Sequence, residues 1–421
     1  MSTIAPAPPA LAVTTVTTEL VEDETGLELI RDEWDHLAVA CRRPGSRAHL
    51  LIAWWRHLAP RDALTRVVLV REGERLIGLA PFLISRAPFG IFRAGLFGTP
   101  SMPQRLGILS RPEDAERVAA AVASALAASH PRPAVIDLDR IDAADPVTPF
   151  LARRWPAALG ARLHQPLTVS APVLSLGADG FEAWLAGKSR NFRKELRRTR
   201  RGLEQRGARI APVEDVDGLD RAIDAFRRLH GQHWGSRSSL WTPQACAMLR
   251  EAGERMIGSG GMRVYTVEAG GEIVAVEILF AAGGEVASWN TGWDPAWAEE
   301  RVSMAGLFAA IEDCFERCDT RLDFGEGTQP YKLRLADGDD PVAWATVLAR
   351  GASYPAASAL TAGARWKRTA RGAARRLPEP AAARMRSVRS ALRSGAVHAG
   401  GAAVVACGGV DGFMAAAVVF I

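Results

Sequence analysis

The sequence predicts an α/β protein with mixed sheets, built from two packed units that repeat one order of elements. Three observations predict it. Apolar and β-branched runs of strand length alternate with apolar residues at helical spacing along most of the chain. Two hairpin patterns stand in corresponding places, Val70-Arg71-Glu72-Gly73-Glu74-Arg75-Leu76-Ile77-Gly78 and Val267-Glu268-Ala269-Gly270-Gly271-Glu272-Ile273-Val274-Ala275, the second with an additional glycine at its turn. The composition, 48% hydrophobic and 24% charged over 421 residues, is that of a globular chain long enough for two domains.

The elements follow in order. Residues 1–18 are rich in Ala, Pro and Thr and lack a basic region before the apolar residues, so they read as a disordered leader and not as a signal peptide. A strand begins near Val16. Leu27, Ile30, Trp34 and Leu37 share one helix face, and Leu51, Trp54, Trp55 and Leu58 another, with a break at Arg42-Arg43-Pro44-Gly45. The first hairpin comes next, then a strand at 91–97, an alanine-rich helix at 115–128, a buried strand at 134–138 and a short helix at 147–155. The second unit opens with a strand at 172–176 and helical patterns at 181–205, broken near Lys188. Helices at 219–234 and 243–257 lead into the second hairpin. A strand at 285–292, a helix at 302–318, a strand end at 321–324 and a strand at 342–348 close it. The expected division is therefore 1–18 leader, 19–169 first unit, 170–350 second unit, and 351–421 a basic tail of low complexity.

The net charge of +5 is unevenly placed. Nine Lys and Arg face two Glu between Lys188 and Gly207, and Arg365 to Arg393 is also basic. On a helix the first cluster spreads around most of the circumference, leaving a thin apolar stripe of Phe192, Leu196 and Leu203. Such clusters imply anionic partners, among them phosphates, RNA or acidic lipid. Five cysteines show no paired framework, and Cys314 with Cys318 lacks further metal ligands nearby. A reduced, cytoplasmic chain without a metal is expected. Residues 395–421 are too short and too interrupted to span a bilayer.

Two motifs carry chemistry. One is Asp323-Phe324-Gly325-Glu326-Gly327-Thr328-Gln329-Pro330-Tyr331-Lys332, a strand end, a glycine loop and a Tyr-Lys pair. The other is Lys188-Ser189-Arg190-Asn191-Phe192-Arg193-Lys194. With the strands between them they resemble the CelD-type acetyltransferases of the GNAT superfamily, relatives of the FemAB aminoacyl transferases. The resemblance covers roughly residues 170 to 350. It implies two tandem GNAT-like units, FemAB-like in arrangement. The first would be degenerate and act as a buttress.

The resemblance also implies acyl transfer from a thioester, with acetyl-CoA or another acyl-CoA as co-substrate. The carrier's pyrophosphate would lie at the helix that begins near Val302, where backbone N–H groups and the helix dipole attract an anion. Arg301 and Gly306 match the superfamily's pyrophosphate pattern, while Met304 replaces its first glycine. Asn290, Thr291 and Ser303 lie on the same rim. Lys332 would stabilise the developing oxyanion, and Tyr331 would protonate the leaving group. Glu326 is the preferred base, with Asp323 as its alternative or as a turn cap. Lys188, Arg190, Asn191 and Arg193 would hold a phosphate-bearing acceptor, and His233 and Trp234 would line its pocket. The expected activity is N-acyl transfer, in polysaccharide or cell-envelope metabolism. A tRNA-dependent aminoacyl transferase and a non-catalytic anion-binding module are the alternatives. Oligomeric state is left open by the sequence.

Overall fold

The structure, a computed structural model, describes residues 15–375 apart from 100, 103, 157–159 and 236–239, and only the backbone of 233, 234, 367, 368 and 370–375. The expected leader up to residue 14, the tail beyond 375 and Cys407 lie outside the described residues.

The first half runs β1 (Val16–Val21), α1 (Glu24–Ala40), α2 (Ala48–Leu58), β2 (Leu64–Glu72), β3 (Arg75–Arg86), β4 (Phe92–Leu96), the short β5 (Leu109–Ser110), α3 (Ala115–Ala128), β6 (Val135–Asp142), α4 (Val147–Arg153) and β7 (Ala161–Val169). The second half runs β8 (Pro172–Ser175), α5 (Gly180–Gly187), α6 (Arg190–Gln205), β9 (Arg209–Pro212), α7 (Val216–Trp234), α8 (Pro243–Met256), β10 (Met262–Ala269), β11 (Glu272–Ala282), β12 (Glu285–Trp293), α9 (Val302–Glu316), β13 (Arg321–Asp323), α10 (Pro330–Leu335), β14 (Gly338–Asp339) and β15 (Val342–Ala349). A last helix, α11 (Tyr354–Arg375), packs on β7.

The duplication is visible in the sheets. One contains β1-β2-β3-β4-β6 in that order and the other β9-β10-β11-β12-β13. In each, a helix crosses over to make one parallel pair, β4 with β6 and β12 with β13. Both hairpins even carry a register shift at the corresponding place, between Val70 and Arg71 and between Val267 and Glu268. Their two turns need left-handed backbone, supplied by Gly73 in one and by Gly270 and Gly271 in the other.

The first sheet is completed from the second half. Strand β8, which opens the second half, pairs with β13 in the second sheet, while β15 from the second half is inserted between β6 and β7 of the first. The strand at 342–348 was expected to close the second unit. It lies in the first sheet instead, because its residues are buried on both faces and only a central position there offers two neighbours. Strand β7 was not legible as a strand: its burial alternates weakly and Pro166 interrupts it.

One apolar core runs through both halves, from Trp34, Trp54 and Phe82 to Phe226, Leu249, Phe280 and Trp289. At the junction Arg47 is buried. Its guanidinium grips the Asp35 carboxylate at 2.8 and 2.6 Å and donates to Ala281 O at 2.8 Å. A second cluster packs α5, α6 and α9 on the other face of the second sheet.

Candidate active site

The site begins where two strands part. Strands β12 and β13 pair in parallel only from Glu285 opposite Arg321 to Ala287 opposite Asp323. Beyond that, Ser288 to Trp293 and Phe324 to Glu326 form the walls of a cleft of about 370 Å³, which α9 and α10 close from the sides. A register shift between β11 and β12 leaves Trp289 as an extra residue. Its ring packs on Phe226 and Phe280 in the core, so the cleft floor keeps Ser288 and Asn290.

Glu277 stands in that floor, 4% exposed, in the middle of β11. Its Oε1 accepts from Ser288 Oγ at 2.9 Å. Burial raises its pKa from the ordinary glutamate value to about 7, against the pull of Ser288, Thr291 and the Lys332 ammonium. The sequence analysis did not single it out. The signal was present: one carboxylate inside the apolar run Ile273-Val274-Ala275-Val276-Glu277-Ile278-Leu279-Phe280. A charge there is costly unless the site uses it.

Lys332 is buried in the opposite wall, 6% exposed. It sits in a short helix, α10, where the sequence suggested only a loop. Its Nζ donates to Gly325 O at 3.1 Å and to Glu326 O at 2.9 Å. Burial lowers its pKa, and Asp323, Glu326 and Glu277 oppose the shift. An ammonium has three donors, so one is left for the cleft. The loop that wraps it needs left-handed backbone at Gly325 and Gly327. Beside it, Tyr331 is 39% exposed at the cleft mouth; burial of its hydroxyl and the Glu277 charge push the phenol up to about 12.

The other expected residues fall in several places. Asn290, Thr291 and Ser303 line the cleft, as does Glu326, whose Oε2 is buried with no hydrogen-bond partner among the described residues and whose Oε1 lies 3.8 Å from Arg140 of the first half. Asp323 does not line it. Its Oδ1 accepts from Gly325 N at 2.7 Å and its Oδ2 from Arg105 at 2.9 Å, so it is a loop brace held from the first half. Gly306 lies inside α9 with Glu277 Cβ 3.5 Å from where its own Cβ would be. Arg301 stands outside the cleft lining and is paired with Glu195. Its backbone is left-handed, and among the described residues no side chain caps the α9 N-terminus. That leaves the first turn open to an anion beside Ser303, while Met304 occupies part of the cleft wall.

The basic segment is sorted by the fold. Ser189 caps α6 by accepting from Phe192 N at 3.2 Å. Lys188 donates to Leu335 O at 3.0 Å, and Arg193 to Ala186 O at 2.5 Å and Lys188 O at 2.8 Å, so both tie α6 to its neighbours rather than facing the cleft. Arg190 and Asn191 are exposed. The backbone of His233 and Trp234 ends α7, and their side chains lie outside the described residues. Among the described residues no group of three or more metal-ligating side chains is found, and no helix is long and apolar enough to cross a membrane.

The fold and the cleft define a class: tandem α/β units with one elaborated site. Residues 190–333 match the family described as the Acetyltransferase (GNAT) domain. That stretch thus carries the likeness to a GNAT-type acetyltransferase domain. Among solved structures it is similar to the C-terminal domain of a candidate lysylphosphatidylglycerol synthetase from Agrobacterium fabrum, with 12% identity, 80% of this chain and 96% of that one covered, and a TM-score of 0.52. It is also similar to FemX, with 11% identity, 74% and 94% covered, and a TM-score of 0.52. At such identities the likeness shows the fold. No curated protein matches the sequence.

Proposed function

We propose that the protein transfers an acyl group from an acyl-CoA thioester to the nitrogen of an amine acceptor, in the cleft between β12 and β13. One observation carries this reading: a buried carboxylate poised near neutrality, Glu277, faces a buried ammonium, Lys332, across a cleft beside an uncapped helix N-terminus. Acyl transfer needs those groups. Glu277 takes the proton of the incoming ammonium, which leaves the nitrogen lone pair free to attack the carbonyl carbon. The free donor of Lys332 meets the oxygen as it becomes negative. As the C–S bond breaks, the thiolate takes the phenol proton of Tyr331, which a pKa of about 12 keeps in place at neutral pH, and the acylated nitrogen gives up its surplus proton to restore the phenol. The α9 N-terminus and Ser303 would hold the carrier's pyrophosphate, and acetyl-CoA is the default donor. Glu277 replaces Glu326 as the base in this reading, since the Glu326 side chain is 37% exposed and lies 3.8 Å from Arg140.

The test is a thermal-shift series with acetyl-CoA, longer acyl-CoAs and a charged tRNA, since a donor that binds the native state must raise the melting point. Acyl-CoA should do so, and Lys332→Ala should lower amine-dependent thiol release by about 10²–10³-fold. Stabilisation by charged tRNA alone would point to an aminoacyl donor. Full turnover in the Lys332→Ala enzyme would remove the proposed role of that residue.

A further inference from the structure

The charges of α6 are not spread evenly once the fold is known. Phe192, Leu196, Thr199 and Leu203 are buried against α9 and the second sheet. Several cations on the flanks are paired: Arg200 with Glu312, Arg206 with Glu300, and Arg334 of α10 with Glu195, which also holds Arg301. What remains is one outward face. Arg190, Lys194, Arg197, Arg198 and Arg201 are all exposed and, at 3.6 residues per turn, fall within about 100° of arc. Among the described residues no carboxylate lies within ion-pair distance of any of these five, and Glu204 stands at the margin of the face.

An apolar feature adjoins the Glu195 flank of α6, beside this face. Helix α10 lies against the first turns of α6, since Lys188 donates to Arg334 O and Leu335 O and the Arg334 guanidinium covers the Phe192 ring. Leu333 of α10 is 56% exposed and Tyr331 is 39% exposed. A cationic face next to exposed Leu and Tyr side chains suits a surface that offers both negative charge and hydrocarbon. We propose that the outward face of α6, together with Leu333, docks on an anionic lipid bilayer and turns the cleft mouth at Tyr331 toward it. RNA offers the charge but no hydrocarbon for Leu333, and no aromatic ring interrupts the five cations to stack on bases. Helix α6 itself does not insert, because its apolar face is already covered; binding comes from headgroup attraction plus the small apolar anchor. This inference does not depend on which donor or acceptor the cleft takes.

The experiment is co-sedimentation of the full chain with phosphatidylcholine vesicles, with and without about 30% phosphatidylglycerol. Binding should need the anionic lipid and should weaken at least about tenfold between about 0.1 and 0.5 M salt. The variant Lys194→Gln/Arg198→Gln/Arg201→Gln should partition about a hundredfold less, at about fivefold per cation, with an unchanged melting curve and unchanged turnover of a soluble amine. Leu333→Ser should weaken vesicle binding severalfold and leave binding to a single-stranded RNA oligonucleotide unaltered. Equal binding to neutral vesicles overturns the proposal, as does a triple variant that binds like wild type. So does an RNA oligonucleotide that binds more tightly than the vesicles and displaces the protein from them. Loss of acyl transfer in solution with vesicle binding intact would strike the cleft reading alone.

Discussion

Glu277 shows how much one residue's surroundings decide. Its pKa is raised from the ordinary glutamate value of 4.5 to about 7, first by burial. The folded state therefore holds this proton more tightly than the unfolded chain does. The stability linked to it is complete below about pH 4.5 and is lost as pH rises through about 7. A shift of that size corresponds to on the order of 3 kcal/mol. Glu277→Gln keeps an acceptor for Ser288 but removes the titration. Its melting temperature should match wild type near pH 5 and exceed it near pH 8. In the same variant, amine-dependent turnover should fall about 10²–10⁴-fold and lose the limb that rises through about pH 7 in wild type. A retained limb would assign the base to another group. The sequence displayed Glu277 as an oddity in an apolar strand, whereas Lys332 was legible at once because Tyr331 and the glycine loop mark it. Asp323 was legible as a loop residue, but its engagement with Arg105 was not, since the partner comes from the first half of the chain.

At the scale of elements, local pattern did most of the work. Apolar spacing located α1, α2, α3, α9 and both hairpins, because each presents one face to the core. It did not locate β7, whose outward residues alternate with barely buried ones. For α6 it gave the helix but not its division into a buried stripe, paired flanks and a free basic face, because pairing depends on where Glu195, Glu300 and Glu312 arrive. Turns couple the elements of the two halves. Gly283, in the turn between β11 and β12, has φ +57, and a Cβ added to it would lie 2.3 Å from Val39 O at the end of α1. The neighbouring atom is backbone and cannot swing aside. Gly283→Ala should therefore cost at least about 2 kcal/mol, read as a lower urea midpoint with an unchanged slope.

At the scale of the molecule, the two halves are one structure. The common core and the placement of β15 mean that the first sheet is not complete within its own half. A fragment of residues 15–169 lacks the strand that separates β6 from β7, leaving both with unpaired edges. It should show no cooperative melting transition by circular dichroism, and co-expression with residues 170–375 should restore one. A fragment that melts cooperatively alone would show that β15 is dispensable. The full chain should unfold in a single transition.

The sequence alone determined the α/β class, the repeated hairpins, most helices and the Tyr331-Lys332 loop. Periodicity, turn glycines and charge runs are written in neighbouring residues, and those decide local conformation and which face turns inward. Only the tertiary structure decided that β15 crosses to the first sheet, that Asp323 braces a loop while Glu277 occupies the cleft, and that five cations of α6 have no carboxylate partner among the described residues. Each of these depends on which distant groups meet, and on whether a charge ends beside a partner, in water or in the core. Desolvation and pairing set that outcome, and both are properties of the assembled fold.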